Sequence, residues 1–206
     1  KNLVLAVIGE KPLTEGTNII ISHIDTPRLD LKPIPLYEDG DMAYFKTHYY
    51  GGIKKYQWTA IPLGLSGVVS TKNGDVEINI GDDEICLCVT DLLPHLAVEQ
   101  MKKTMMEGIE GEKLNLLIGS IPSDSENSKF KQTILEILNK DYGICEEDFI
   151  SAELEAYPLL KSRDIGIDRS MVGGFGQDDR ICSYTSLKAI FDLDRVPEKT
   201  ALCVLV

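Results

Sequence analysis

A histidine and an aspartate two residues apart, at the end of an apolar run, make a compact unit for metal binding or proton handling, and residues 18–32 contain one. They read Asn-Ile-Ile-Ile-Ser-His-Ile-Asp-Thr-Pro-Arg-Leu-Asp-Leu-Lys. The continuous β-branched run Ile19-Ile20-Ile21 predicts a buried strand over 18–22. Pro27 has no backbone donor, so ordinary strand pairing is interrupted there. Alternation sets His23 and Asp25 on one side of the chain. A neutral imidazole there can bind a divalent metal while the carboxylate fixes its orientation or handles a proton. A satisfied loop histidine beside a turn aspartate uses the same residues, and His-x-Asp alone does not separate the two readings.

A second group follows much later. Gly173, Gly174 and Gly176 let the backbone bend closely, and Asp178 and Asp179 come next, at the start of a helix predicted from 178 to 193. Ile181, Tyr184, Leu187, Ile190 and Phe191 supply its helical spacing. The glycines do not form G-x-G-x-x-G, so a dinucleotide loop is not supported. Aspartates at a helix N-terminus serve equally as caps or as site carboxylates, and the spacing leaves both open. Glu153 and Glu155 alternate with Ala152, Leu154 and Ala156, which predicts a strand over 149–156 with one buried face. The polarity of the other face accounts for both glutamates without a catalytic pair.

These residues need elements to position them. Further strands are predicted at 3–8, 43–47, 59–65, 67–71, 76–80, 85–89 and 112–120, with Asn73-Gly74 as a hairpin turn. A helix is predicted over 91–107, capped by Asp91 with Pro94 in its first turn. Another spans 128–142, with Phe130, Ile134, Ile137 and Leu138 on one face and Gly143 as its stop.

Composition excludes several classes. A net charge of −12 argues against nucleic acid as a partner, since phosphate binding needs clustered Lys and Arg. No apolar run approaches the roughly 18 residues of a membrane span, and the N-terminal stretch lacks a signal-peptide cleavage pattern. The cysteines (Cys86, Cys88, Cys145, Cys182, Cys203) are odd in number, and Cys86-Leu-Cys88 has no second pair to complete a zinc site. They read as reduced, buried thiols of a cytoplasmic protein. The apolar run at 200–206 reads as a central strand and is expected to continue into a larger protein.

Four stretches together carry a resemblance. They are Ser22-His-Ile-Asp-Thr-Pro-Arg-Leu-Asp-Leu-Lys, Lys46-Thr-His-Tyr-Tyr-Gly-Gly-Ile-Lys-Lys-Tyr-Gln-Trp58, Thr90-Asp-Leu-Leu-Pro-His-Leu96 and Gly176-Gln-Asp-Asp-Arg-Ile-Cys182. In this order they resemble the M18 metalloaminopeptidases, the aspartyl-aminopeptidase-like enzymes, in their bacterial branch. The resemblance implies an α/β fold: a zinc-exopeptidase-like metallopeptidase domain, here residues 1–30 and 165–206, interrupted by a β-rich dimerisation domain, here 31–164. It implies an enzyme that removes the N-terminal residue of peptides with two divalent metal ions, most commonly zinc with manganese or cobalt as alternatives, and a water bridging them. The implied partners are peptide substrates and further copies of the chain, in a homo-oligomer built from dimers.

Position by position, His23 matches a metal-ligand histidine and Asp25 the catalytic carboxylate that supports it. Asp178 matches the aspartate that bridges the metals, with Asp179 its neighbour. His95 matches a histidine of the inserted domain, a metal ligand or a group reaching in from a neighbouring subunit. His48 has no implied role. The family's general-base glutamate and remaining ligands belong to motifs beyond a strand resembling 201–206, and none is present here. The segment alone is therefore expected to be inactive. A related metallohydrolase with different end-group selectivity, or a non-catalytic assembly or cargo-binding module on the same scaffold, are the alternatives.

Overall fold

A computed structural model describes residues 2–206. In chain order the strands are β1 (Leu3–Val7), β2 (Asn18–Ser22), β3 (Arg28–Asp39), β4 (Met42–Tyr50), β5 (Leu63–Thr71), β6 (Gly74–Ile80), β7 (Leu116–Gly119), β8 (Ala152–Pro158), β9 (Arg163–Ile165), β10 (Met171–Gly173) and β11 (Ala201–Leu205). The helices are α1 (Val98–Met101), α2 (Lys129–Tyr142) and α3 (Gln177–Phe191). Two compact units result, one from the residues up to Thr26 together with Lys161–Val206, the other from Pro27–Leu160.

The Pro27–Leu160 unit is a six-stranded sheet in the order β6-β5-β8-β3-β4-β7, its named pairs all antiparallel. Leu29, Leu63, Leu65, Ile78, Leu116 and Phe149 are fully buried in its core, and the Phe45 and Phe149 rings tilt against one another at 5.5 Å. Glu153 and Glu155 of β8 face outward while Leu154 and Ala156 are buried, the alternation predicted for this stretch, but the strand starts only at Ala152: residues 149–151, predicted as its beginning, close a 3₁₀ turn that leaves Ile150 exposed. Gly67 of β5 opposes Leu154 at φ +149, and a Cβ there would lie 1.9 Å from the Glu153 carbonyl oxygen, so only glycine allows this approach. The β5–β6 hairpin turns through Lys72 and Asn73, with Gly74 already paired to Thr71.

Helix α2 ends as expected, with Gly143 left-handed at φ +69 and its N–H bonded to the Asn139 carbonyl. Its start is unexpected. Ser128 makes no side-chain cap; the Glu38 carboxylate at the end of β3 accepts from the N–H groups of Phe130 (3.0 Å) and Lys131 (3.1 Å). A carboxylate from another element thus fills the capping role.

The helix predicted over 91–107 is reduced to α1 and isolated turns. With Asp91 as cap, Pro94 would stand third in the helix, where it has no N–H to offer, and it biases Leu93 away from helical backbone. Asp91 instead accepts from the Leu92 N–H (2.8 Å) and the Gln100 side chain (3.0 Å). The strand predicted at 85–89 is reduced to isolated bridges, Leu63↔Leu87, Thr59↔Val89 and Cys88↔Leu117. The 59–65 strand begins only at Leu63, because Ala60 at φ +56 and Pro62 interrupt extended pairing.

In the other unit the sheet order is β1-β11-β2, with β1 antiparallel and β2 parallel to β11. Its core is Ile190, Cys203 and Leu205, against which Leu5, Val7, Ile24 and Ala201 pack. Two expectations are not met in residues 2–206, the second of them in both units. Ile19, Ile20 and Ile21 are 54, 41 and 65 % exposed, because β2 pairs only with β11 among the described residues. The cysteines are not a buried set either: Cys203 is buried, but Cys86, Cys145 and Cys182 are exposed, and none is in a disulfide.

Candidate metal centre

β2 and its parallel neighbour β11 point their carboxyl ends the same way, the end at which open α/β sheets characteristically place their sites. The ladder continues just past β2: the Val206 N–H donates to the Ser22 carbonyl (3.0 Å) and the Ile24 N–H to the Val206 carbonyl (2.8 Å). His23 is therefore held between two anchored residues. Helix α3 begins after Gly176, whose φ of +78 suits glycine, and brings Asp178 and Asp179 in its first turn. The peptide bond between the two aspartates is cis.

Among the described residues, His23, Asp25 and Asp179 form a group whose ligand atoms all lie within 4.8 Å of one another. The His23 Nδ1 is 3.5 Å from Asp25 Oδ1 and in closer contact with Asp179 Oδ2. Asp179 is buried while His23 and Asp25 stay open to solvent, so the group has a fixed floor and an accessible rim. A side-chain hydrogen bond with Asp178 holds the Asp179 carboxyl above the usual carboxylate range. Desolvation and the charges of Asp178 and Asp25 push the same way, and His23 pulls against them. Crowded carboxylates that raise one another's proton affinity are relieved by a cation, and one imidazole with several carboxylates is a donor set that suits zinc or manganese. The residues present fit a divalent metal.

The expected site residues fall as follows. His23 and Asp25 come together. Asp178 is exposed and bonded to Asp179, and it is Asp179 that enters the cluster. His95 lies in the Pro27–Leu160 unit, exposed, in the turn before α1. His48 sits exposed on β4, stacked on Tyr49 at 5.6 Å.

Sequence reasoning missed the serines. The Ser183 hydroxyl donates to the His23 carbonyl oxygen at 2.7 Å, and the Ser22 and Ser186 hydroxyls bond to each other at 2.6 Å. The face of α3 that seats inward is Asp179, Ser183, Ser186 and Ile190, while Ile181, Tyr184 and Phe191, expected as its apolar face, are 59, 61 and 66 % exposed. The available signal was the recurrence of small polar residues at steps of four and three from Asp179, at Ser183 and Ser186.

A parallel strand pair met at its carboxyl end by a carboxylate-bearing helix start defines a mixed α/β protein with a His/Asp group suited to a metal ion. A family model described as Aminopeptidase I zinc metalloprotease (M18) matches residues 1–206. The chain belongs to the M18 aminopeptidase family. It is 52 % identical over 211 residues to a probable M18 family aminopeptidase 1 of Clostridium acetobutylicum, covering 100 % of this chain and 45 % of that protein. A relative of the same description from Borrelia garinii subsp. bavariensis is 50 % identical, with 100 % and 46 % covered. The crystal structure of aminopeptidase I from Clostridium acetobutylicum superposes with a TM-score of 0.92 at 49 % identity, over 100 % of this chain and 46 % of that one. The chain thus spans about half the length of the curated relatives it matches.

Proposed function

We propose that the protein to which this chain belongs is an aminopeptidase that removes the N-terminal residue of peptides at a dinuclear metal centre. The observation that carries this is the convergence of His23, Asp25 and Asp179 to within 4.8 Å, in a chain of the M18 family. Two divalent ions, when bound, would lower the pKa of a shared water and polarise the scissile carbonyl. His23 would give one ion a neutral imidazole nitrogen, with Asp25 setting the ring and its protonation. Asp178 would bridge, having two carboxylate oxygens at the helix start, and Asp179, hydrogen-bonded to it, would brace it against His23.

On this reading the Pro27–Leu160 unit is the dimerisation domain and the remainder is part of the metallopeptidase domain. His95 completes the site from a neighbouring subunit. Leu92, Leu93, Leu96, Met101, Met105 and Met106, all more than half exposed around it, support an oligomer that covers them. A cytoplasmic location is in keeping with five cysteines free of disulfides. Residues 1–206 alone hold too few ligands and no general-base glutamate of the family pattern, and would be inactive.

The test is metal content and aminoacyl-substrate cleavage of the full-length protein beside His23→Ala. About two ions per chain and turnover in wild type, both lost in the variant, are expected. A wild type that stays metal-free and inert after reconstitution with Zn²⁺, Mn²⁺ or Co²⁺ would sink the reading.

A further inference from the structure

Backbone groups along β2 alternate in direction, and those of Ser22 and Ile24 are taken by Val206. The His23 carbonyl points the other way, where the Ser183 hydroxyl donates to it at 2.7 Å. Ser183 is 8 % exposed, so its hydroxyl and the carbonyl it serves are poorly replaced by water. One turn further along α3, Ser186 bonds to Ser22 at 2.6 Å, and the Ser22 hydroxyl also lies 3.4 Å from the Cys182 carbonyl. Ile190 is the one apolar side chain among the four buried residues of α3, so the serine hydroxyls are its directional contacts with β2.

Asp179 lies on the same stripe, four residues before Ser183. Any rotation or slide that breaks the Ser183–His23 bond also carries Asp179 away from the imidazole. We propose that Ser183 is a positioning residue of the metal centre: by fixing α3 on the His23 carbonyl it holds Asp178 and Asp179 in register with His23. This rests on the metal-centre reading above. Residues that orient metal ligands typically change affinity 10- to 100-fold when removed, which sets the expected scale.

The experiment is Zn²⁺ titration calorimetry on the full-length protein, comparing wild type, Ser183→Ala, Ser183→Thr and His23→Ala, with thermal melts of the metal-free forms. Visible absorption of the Co²⁺-loaded proteins gives a second readout. Ser183→Ala is expected to weaken Zn²⁺ about tenfold or more and to alter the Co²⁺ bands while remaining folded. Ser183→Thr, which keeps the hydroxyl, is expected to restore both. Wild-type affinity and spectrum in Ser183→Ala, with binding lost in His23→Ala, would overturn the positioning role and leave the metal centre standing. Failure of wild type to bind Zn²⁺ would overturn the metal centre and this role with it. Should Ser183→Ala not fold, Ser186→Ala, which releases α3 from Ser22, is expected to weaken Zn²⁺ in the same direction, and unchanged affinity there overturns the role.

Discussion

In the Pro27–Leu160 unit, six strands close over large side chains such as Phe149, Leu29 and Leu65, whereas the unit that carries His23 buries only Ile190, Cys203 and Leu205 as apolar residues among those described. The first is fixed by the removal of apolar surface from water, a strong and undirected force. The part of the second that this chain includes has fewer such contacts, and there α3 also meets β2 through hydroxyl groups bonded to a hydroxyl and a carbonyl, a weaker but more directional constraint. Directional contacts suit a unit that must hold an imidazole and carboxylates to a defined spacing. Apolar packing suits one whose task is to persist.

The largest effect should come from the packed unit. Phe149→Ala is expected to cost about 3–5 kcal/mol in chemical denaturation, as for other buried aromatics, with Zn²⁺ affinity unchanged below the transition. A parallel loss of metal affinity would break the contrast between the units. His23→Ala should do the reverse, weakening Zn²⁺ at least 100-fold, about 2.8 kcal/mol, while denaturation of the β-rich unit is unaltered. Glu38→Ala removes the acceptor shared by two N–H groups of α2 and should cost about 1 kcal/mol, read by denaturation followed through helical circular dichroism.

The smallest effect concerns acid. Asp148 accepts from the Cys145 N–H at 2.8 Å, and this bond, followed by that from the Cys145 thiol, holds its carboxyl below the usual value. A depressed folded-state pKa contributes stability that is present above the unfolded carboxylate value, about 4, and is lost as pH falls through the folded one. Asp148→Asn should therefore lower stability slightly at neutrality, where the contribution is present, and flatten the decline below about pH 4, so that variant and wild type converge in acid. An unchanged acid limb would count against that bond.

The legible parts of the fold were those in which a local pattern had one outcome. The alternation around Glu153 and Glu155 could only be a half-buried strand, and the stop at Gly143 only a left-handed cap. His23 and Asp25 were legible because two residues along an extended chain share a side, whatever the chain packs against. What stayed hidden depends on distant partners. The apolar period of α3 pointed to Ile181, Tyr184 and Phe191, but the helix turns its serines inward because β2 offers a hydroxyl and a carbonyl there. The cap expected at Asp91 does not form, since Pro94 at the third helical position has no N–H to donate, and Asp179 rather than Asp178 meets the imidazole where the helix departs from regular backbone at Asp178 (φ −91, ψ 107).

The carboxylate that caps α2 bears on the order in which the chain folds. Helix α2 has 14 residues, a length at which an isolated helix is marginal in water, and its first turn takes its acceptor from a glutamate 92 positions earlier. That acceptor arrives only after the loop between them has closed, a step whose entropic cost precedes its reward. A peptide covering 128–142 should accordingly be mostly unstructured alone, and in the refolding chain α2 should consolidate after the β3–β4 pairing rather than seed it.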